Sequence, residues 1–157
     1  MTFLTGLTGS LYVVGMGLVF GGTAALSFAA APTVFRGLKP HDAGRIFGKT
    51  LRIFDRMAAW ATHVAIAGAA LALADTFSPA GLARLILAAT IGASFFLVRF
   101  SVAPRMAALK PPESEDEDRV WDPEKRKAFN RLHGQYVGIY STNLFLSIAA
   151  LALAAMG

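Results

Sequence analysis

The chain has 157 residues, of which 55% are hydrophobic and only 16% charged, with a formal net charge of +5 and no cysteine. A soluble domain carries about a quarter charged residues, so this balance argues against one. The lack of cysteine excludes a disulfide scaffold, thiolate metal sites and a cysteine nucleophile. The apolar residues come in four long runs, each near the ~20 residues that a bilayer span needs. Together these features predict an all-α integral membrane four-helix bundle, with residues 1–157 as a single domain.

The first span is expected over about residues 3–31, ending at Pro32. No side chain from Met1 to Phe35 is charged. The first basic residue, Arg36, follows the apolar run instead of preceding it, so the segment reads as a retained span and not as a cleaved signal peptide. Gly17 and Gly21 form a close-packing pair, and Tyr12 lies near the opposite end. In the connection over residues 32–56, Ala43, Ile46, Phe47, Thr50, Leu51 and Phe54 follow helical spacing, while Arg45, Lys49, Arg52 and Arg56 share the other face. That pattern predicts an amphipathic helix whose basic face meets anionic lipid headgroups, either lying on the membrane or extending the second span.

The second span is expected over residues 57–74. It carries His63 on a face with Ala59, Ala67 and Ala70, which reads as a packing surface, and Asp55 and Asp75 fall at its ends, so no acid is expected inside any span. The third span, about 82–103 with a stop at Pro104, carries Arg99 on a face with Gly92 and Phe95. The connection over 104–133 contains "PPESEDEDRVWDPEK", whose acidic run Glu113 to Glu117 reads as a solvated spacer in preference to a cation site. Asp122-Pro123-Glu124 has the form of a helix start, so the fourth span, about 134–156, belongs to a longer helix. On that helix His133, Tyr136, Tyr140, Asn143 and Ser147 fall within an arc of roughly 80°, beside the small pair Gly134 and Gly138. A polar stripe of this kind is expected to face the bundle interior, because an amide exposed to hydrocarbon is costly.

Lysine and arginine set the orientation. Fourteen of the fifteen basic residues lie in or beside the two larger connections, and only Arg84 lies in the short one. Both termini are therefore expected on the non-cytoplasmic side, periplasmic if the membrane is a bacterial inner membrane. "AAAPTVFRGLKP" after span one and "SVAPRMAALKP" after span three suggest two helix pairs related as a parallel repeat.

These features point to a ligand-binding or interhelical polar site formed by His63, Arg99, His133, Tyr136, Tyr140 and Asn143. The leading functional reading is a non-enzymatic inner-membrane protein that binds a small ligand or serves as an accessory or assembly subunit, with other membrane proteins or further copies of itself as partners. The first alternative is a haem b protein, with His63 and His133 as the iron ligands and a redox or haem-handling role. The second is a small transporter or exporter of cationic compounds, against which the lack of a membrane-buried acid counts. Met16, Met57 and Met106 do not cluster, so no metal site is expected. The basic residues are explained by topology, and no nucleic-acid partner is expected.

At "ALSFAAAPTVFRGL", "VAPRMAAL" and "FNRLHGQYVGIYSTNLFL" the chain resembles the transmembrane-protein-205-like family, a four-helix membrane domain of unknown function, over nearly its whole length. The resemblance implies the four-span fold and membrane residence, with Pro32, Pro104, His133 and Asn143 as characteristic positions. It is similar, more distantly, to copper-resistance-D-like membrane proteins, some of whose relatives bind haem through histidines. The methionine and cysteine usage of this chain departs from a copper protein.

Overall fold

The computed structural model describes residues 2–111 and 122–156. The acidic run from Glu113 to Glu117 lies outside them. The described residues form four long helices. Helix α1 comprises Thr2–Ala24, a π-helical turn over Ala25–Ala30 and a final stretch Ala31–Gly37. Helix α2 is Pro40–Asp75. Helix α3 comprises Pro79–Leu97, a π-helical turn over Val98–Val102 and Ala103–Leu109. Helix α4 is Pro123–Ala155. All four are long and apolar enough to cross a membrane.

Two proline stops were expected and neither occurs. Pro32 and Pro104 sit inside continuous helices, each two residues past the end of a π-helical turn. The residue before each proline donates its N–H to the carbonyl five positions back, Ala31 to Leu26 and Ala103 to Val98. A proline ring clashes with the carbonyl four residues before it and supplies no N–H. Widening the preceding turn absorbs the clash without breaking the helix. The caps follow local chemistry. The Ser78 hydroxyl accepts from the Gly81 N–H at 2.9 Å ahead of Pro79. The Asp122 carboxylate accepts from the Glu124 and Lys125 N–H groups at 2.9 and 3.4 Å, as the sequence predicts for a helix start.

The segment carrying Arg45, Lys49, Arg52 and Arg56 is the first half of α2, continuous with the span that follows. Its four basic residues are exposed. Its apolar face docks on the end of α1, with Phe35 and Phe47 in an edge-to-face contact 5.5 Å apart. It therefore extends the second span.

Each helix packs on two neighbours, α1 and α3 both lying between α2 and α4. The closest crossing joins α1 to α2. A Cβ on Gly68 would stand 2.7 Å from the Thr8 carbonyl oxygen and 2.9 Å from the Tyr12 nitrogen, and one on Gly15 would meet the Ala61 carbonyl and the Ala65 Cβ. A Cβ on Gly22 would strike the Phe54 ring. Gly17, Gly21, Gly134 and Gly138, expected at packing surfaces, have open space where a Cβ would stand. They make no close approach within the chain.

The burial pattern is that of a membrane bundle. Trp60, Phe28 and Phe145 are 75%, 73% and 69% exposed, while alanines, threonines and Asn143 fill much of the interior beside Met16, Ile91 and Phe95. A large aromatic surface of this kind is unfavourable in water and at home in lipid. At the end where the termini lie, the Arg84 guanidinium donates to the Leu153 carbonyl at 2.7 Å, and the Tyr12 hydroxyl faces the Ala150 carbonyl at 3.5 Å. Leu153 is among the last residues of α4, whose carbonyls lack an intrahelical donor, and a cation there also complements the helix dipole. Arg84→Ala should therefore lower stability by about 1–2 kcal/mol, with partial recovery in Arg84→Lys. Reversible unfolding by SDS in mixed micelles measures this, and unfolding of the alanine variant at the wild-type midpoint would contradict it.

Candidate functional site

The polar stripe of α4 turns inward. Tyr136, Tyr140, Asn143 and Ser147 are buried, spaced four, three and four apart so that one face of the helix carries them all. His133, one turn before Tyr136, is exposed, with its ring stacked on Phe129 at 6.0 Å. Asn143 accepts from the Ser94 hydroxyl of α3 at 2.8 Å, and its Nδ2 is buried without a partner. Ser147 donates to the Asn143 carbonyl at 2.7 Å.

What the two tyrosines meet is an acid. Asp55 of α2 is only 5% exposed. The Tyr140 hydroxyl donates to its Oδ1, and the Tyr136 hydroxyl lies 3.3 Å from its Oδ2 and 3.1 Å from the Tyr140 hydroxyl. Each phenol has one proton, so Tyr140 holds one carboxylate oxygen while the proton of Tyr136 serves the other oxygen or the Tyr140 oxygen. Aromatic packing fixes the donors. The two tyrosine rings stack at 4.8 Å, and the Tyr140 ring is set between Phe54 at 6.2 Å and Phe95, edge to face, at 5.7 Å. Three helices thus build the site: α2 supplies the carboxylate, α4 its two donors and α3 the aromatic wall.

Asp55 lies at the meeting of two cavities at the basic end of the bundle. One, of about 270 Å³, is bordered by Arg52, Lys110, His133 and Tyr136. The other, of about 330 Å³, is bordered by Arg52, Arg56, Arg99 and Phe100. Among the described residues no arginine closes on Asp55 to ion-pair distance. The Arg99 guanidinium instead rests over the Phe100 ring, 5.5 Å from its centre, and the Arg56 Nε donates back to the Arg52 carbonyl at 3.4 Å.

The six residues expected to form one site therefore divide. Tyr136 and Tyr140 bind Asp55, His133 and Arg99 border its cavities from exposed positions, and Asn143 bonds α3 deeper in the bundle. His63 does not join them. It is exposed on the outer face of α2 beside Trp60, with its Nδ1 2.6 Å from the Ala59 carbonyl oxygen. Helix α2 has two stripes of small residues, and His63 stands on the outward one. As His63 faces away from the cavities that His133 borders, nothing in this arrangement favours a haem between them. Asp55, expected only as a residue at the end of the second span, is buried in the bundle. A helical projection could have found it: Thr62 and Ala69, seven and fourteen positions on, share its direction and are both buried.

Residues 14–114 match the domain of unknown function DUF4149. No curated protein and no solved structure matches the chain at a significant level.

Proposed function

The chain belongs to the DUF4149 family, a domain of unknown function, and from that premise we propose that it is a non-enzymatic protein of the bacterial inner membrane that binds a small ligand at the basic end of its bundle, as an accessory subunit to other membrane proteins. The observation that carries this reading is the Asp55 carboxylate, held by Tyr136 and Tyr140 and facing two cavities. Buried ionisable groups in membrane proteins are expensive and concentrate at functional sites. The excess of lysine and arginine at this end supports a cytoplasmic location for it and periplasmic termini. We also take the chain to be related to the transmembrane-protein-205-like family, and α1–α2 and α3–α4 to be a parallel repeat. The matching π-helical turns before Pro32 and Pro104 support that view.

Protein purified in lipid nanodiscs should carry a bound small molecule detectable by native mass spectrometry. Asp55→Asn should lose it, since the charge is removed while shape and hydrogen-bonding capacity are retained. Equal retention by the wild type and Asp55→Asn would refute the reading.

The same carboxylate favours a second reading, export of cationic compounds, because it supplies an acid buried within the bundle. Against it, the apolar side chains of Met16, Ile91 and Phe95 are buried in the bundle interior. A transport path would have to run between copies of the chain.

A further inference from the structure

Asp55 stands at headgroup depth. Asp75 closes α2 twenty positions after it, a rise of about 30 Å, which is the thickness of the hydrocarbon core. Arg99 stands twenty positions after Pro79, where α3 begins, and so reaches the same level. The cavity between them is bordered by Arg52, Asp55, Arg56, Arg99, Phe100 and Ala103. It brings three guanidiniums and one carboxylate to the level of lipid phosphates. Guanidinium forks match phosphate oxygens. A headgroup carrying only negative charge would meet Asp55 with repulsion. After its two tyrosine bonds the carboxylate still has acceptor positions, and these fit the N–H donors of a primary ammonium. On the outer face beside the cavity, Phe96 and Phe100 are 64% and 60% exposed with ring centres 4.4 Å apart, an apolar track for acyl chains.

Resting on the ligand-binding reading above, we infer that this cavity recognises a phosphoethanolamine headgroup. Arg52, Arg56 and Arg99 take the phosphate, Asp55 takes the ammonium, and Phe96 and Phe100 run along the lipid chains. Tyr136 and Tyr140 are positioning residues, which hold the carboxylate in place from behind. The same headgroup chemistry is present in a membrane lipid and in soluble phosphoethanolamine, and the experiment separates the two.

The sequence has no cysteine, so Ala103→Cys, which borders both cavities, provides a single reporter. Its alkylation rate by a maleimide is followed in detergent after addition of phosphatidylethanolamine, phosphatidylcholine, phosphatidylglycerol or soluble phosphoethanolamine. Phosphatidylethanolamine should slow alkylation about tenfold more than phosphatidylcholine, which has the phosphate but no ammonium N–H to donate. Asp55→Asn should erase that preference. Arg99→Gln, at an exposed position, should weaken protection by every phospholipid. Protection by soluble phosphoethanolamine equal to that by the lipid keeps the headgroup chemistry and assigns it to a free ligand. Equal protection by all three lipids overturns the headgroup assignment and leaves a binding cavity standing. No protection by any probe, with Asp55→Asn alkylated at the wild-type rate, overturns the assignment and the binding reading beneath it.

Discussion

Gly68→Leu should disrupt the bundle severely, with a loss of about 3 kcal/mol or more. The atoms that a Cβ would meet, the Thr8 carbonyl oxygen at 2.7 Å and the Tyr12 nitrogen at 2.9 Å, belong to the backbone of α1. Neither can rotate away, so α1 must move as a body. That movement also withdraws Tyr12 from α4 and loosens Gly15 from Ala61 and Ala65. In lipid no hydrophobic force drives helices together, and close packing is a main source of their association, so a wider crossing loses much of what holds α1 in place. Gly138→Leu provides the comparison. Open space surrounds that position within the chain, and the change should stay within about 0.5 kcal/mol of wild type. Unfolding midpoints in mixed micelles test both. Equal midpoints for the two variants would refute the crossing described here, and a large loss at Gly138 alone would show that another chain covers that face.

Asp55→Ala should lower stability by about 3 kcal/mol, because it leaves the buried Tyr140 hydroxyl without its acceptor, leaves Tyr136 only the Tyr140 oxygen, and opens a cavity. Asp55→Asn keeps one acceptor oxygen and nearly the same volume, and should lose no more than about 1 kcal/mol. The ordering matters more than either value, since a site held together by hydrogen bonds distinguishes the two substitutions whereas a site that merely needs the volume filled does not. Tyr140→Phe should behave as an intermediate case, and combining it with Asp55→Ala should cost much less than the sum of the single losses, because the two groups share one interaction. Indistinguishable midpoints for the alanine and asparagine variants, or strict additivity in the double variant, would contradict the hydrogen-bonded arrangement.

The two substitutions depend on different parts of the sequence, and so does what could be read from it. The stripe of Tyr136, Tyr140, Asn143 and Ser147 was legible because its bulkier polar groups recur at helical spacing within the apolar half of α4, so their shared direction follows from spacing. The burial of Asp55 was missed for the opposite reason. It stands between Arg52 and Arg56 at the edge of an apolar run, and by hydropathy it belongs with the headgroup residues around it. Only the direction of its side chain separates it from them, since it points with Thr62 and Ala69 while the arginines point out. His63 failed in the same way, on a helix with small residues on more than one side. Pro32 and Pro104 were read as helix ends because a proline removes a hydrogen bond. The widened turns that relieve the clash leave no mark in composition, although the repeated Ala-Pro shows in retrospect that the same device is used twice.

The sequence by itself determined the number of long apolar helices, the gathering of basic residues at one end and the start of α4 at Asp122. Each of these depends on local hydropathy, on charge counts or on a cap formed within a few residues, none of which requires knowing what lies opposite. Only the tertiary structure decided that Gly15 and Gly68 make the close crossing while Gly17, Gly21, Gly134 and Gly138 do not, and that an acid at the edge of the second span is bound by two tyrosines eighty residues away. On helices built largely from alanine and glycine several faces are equally able to pack. The choice among them is made by the shapes of the neighbouring helices, and that information is distributed over the whole chain.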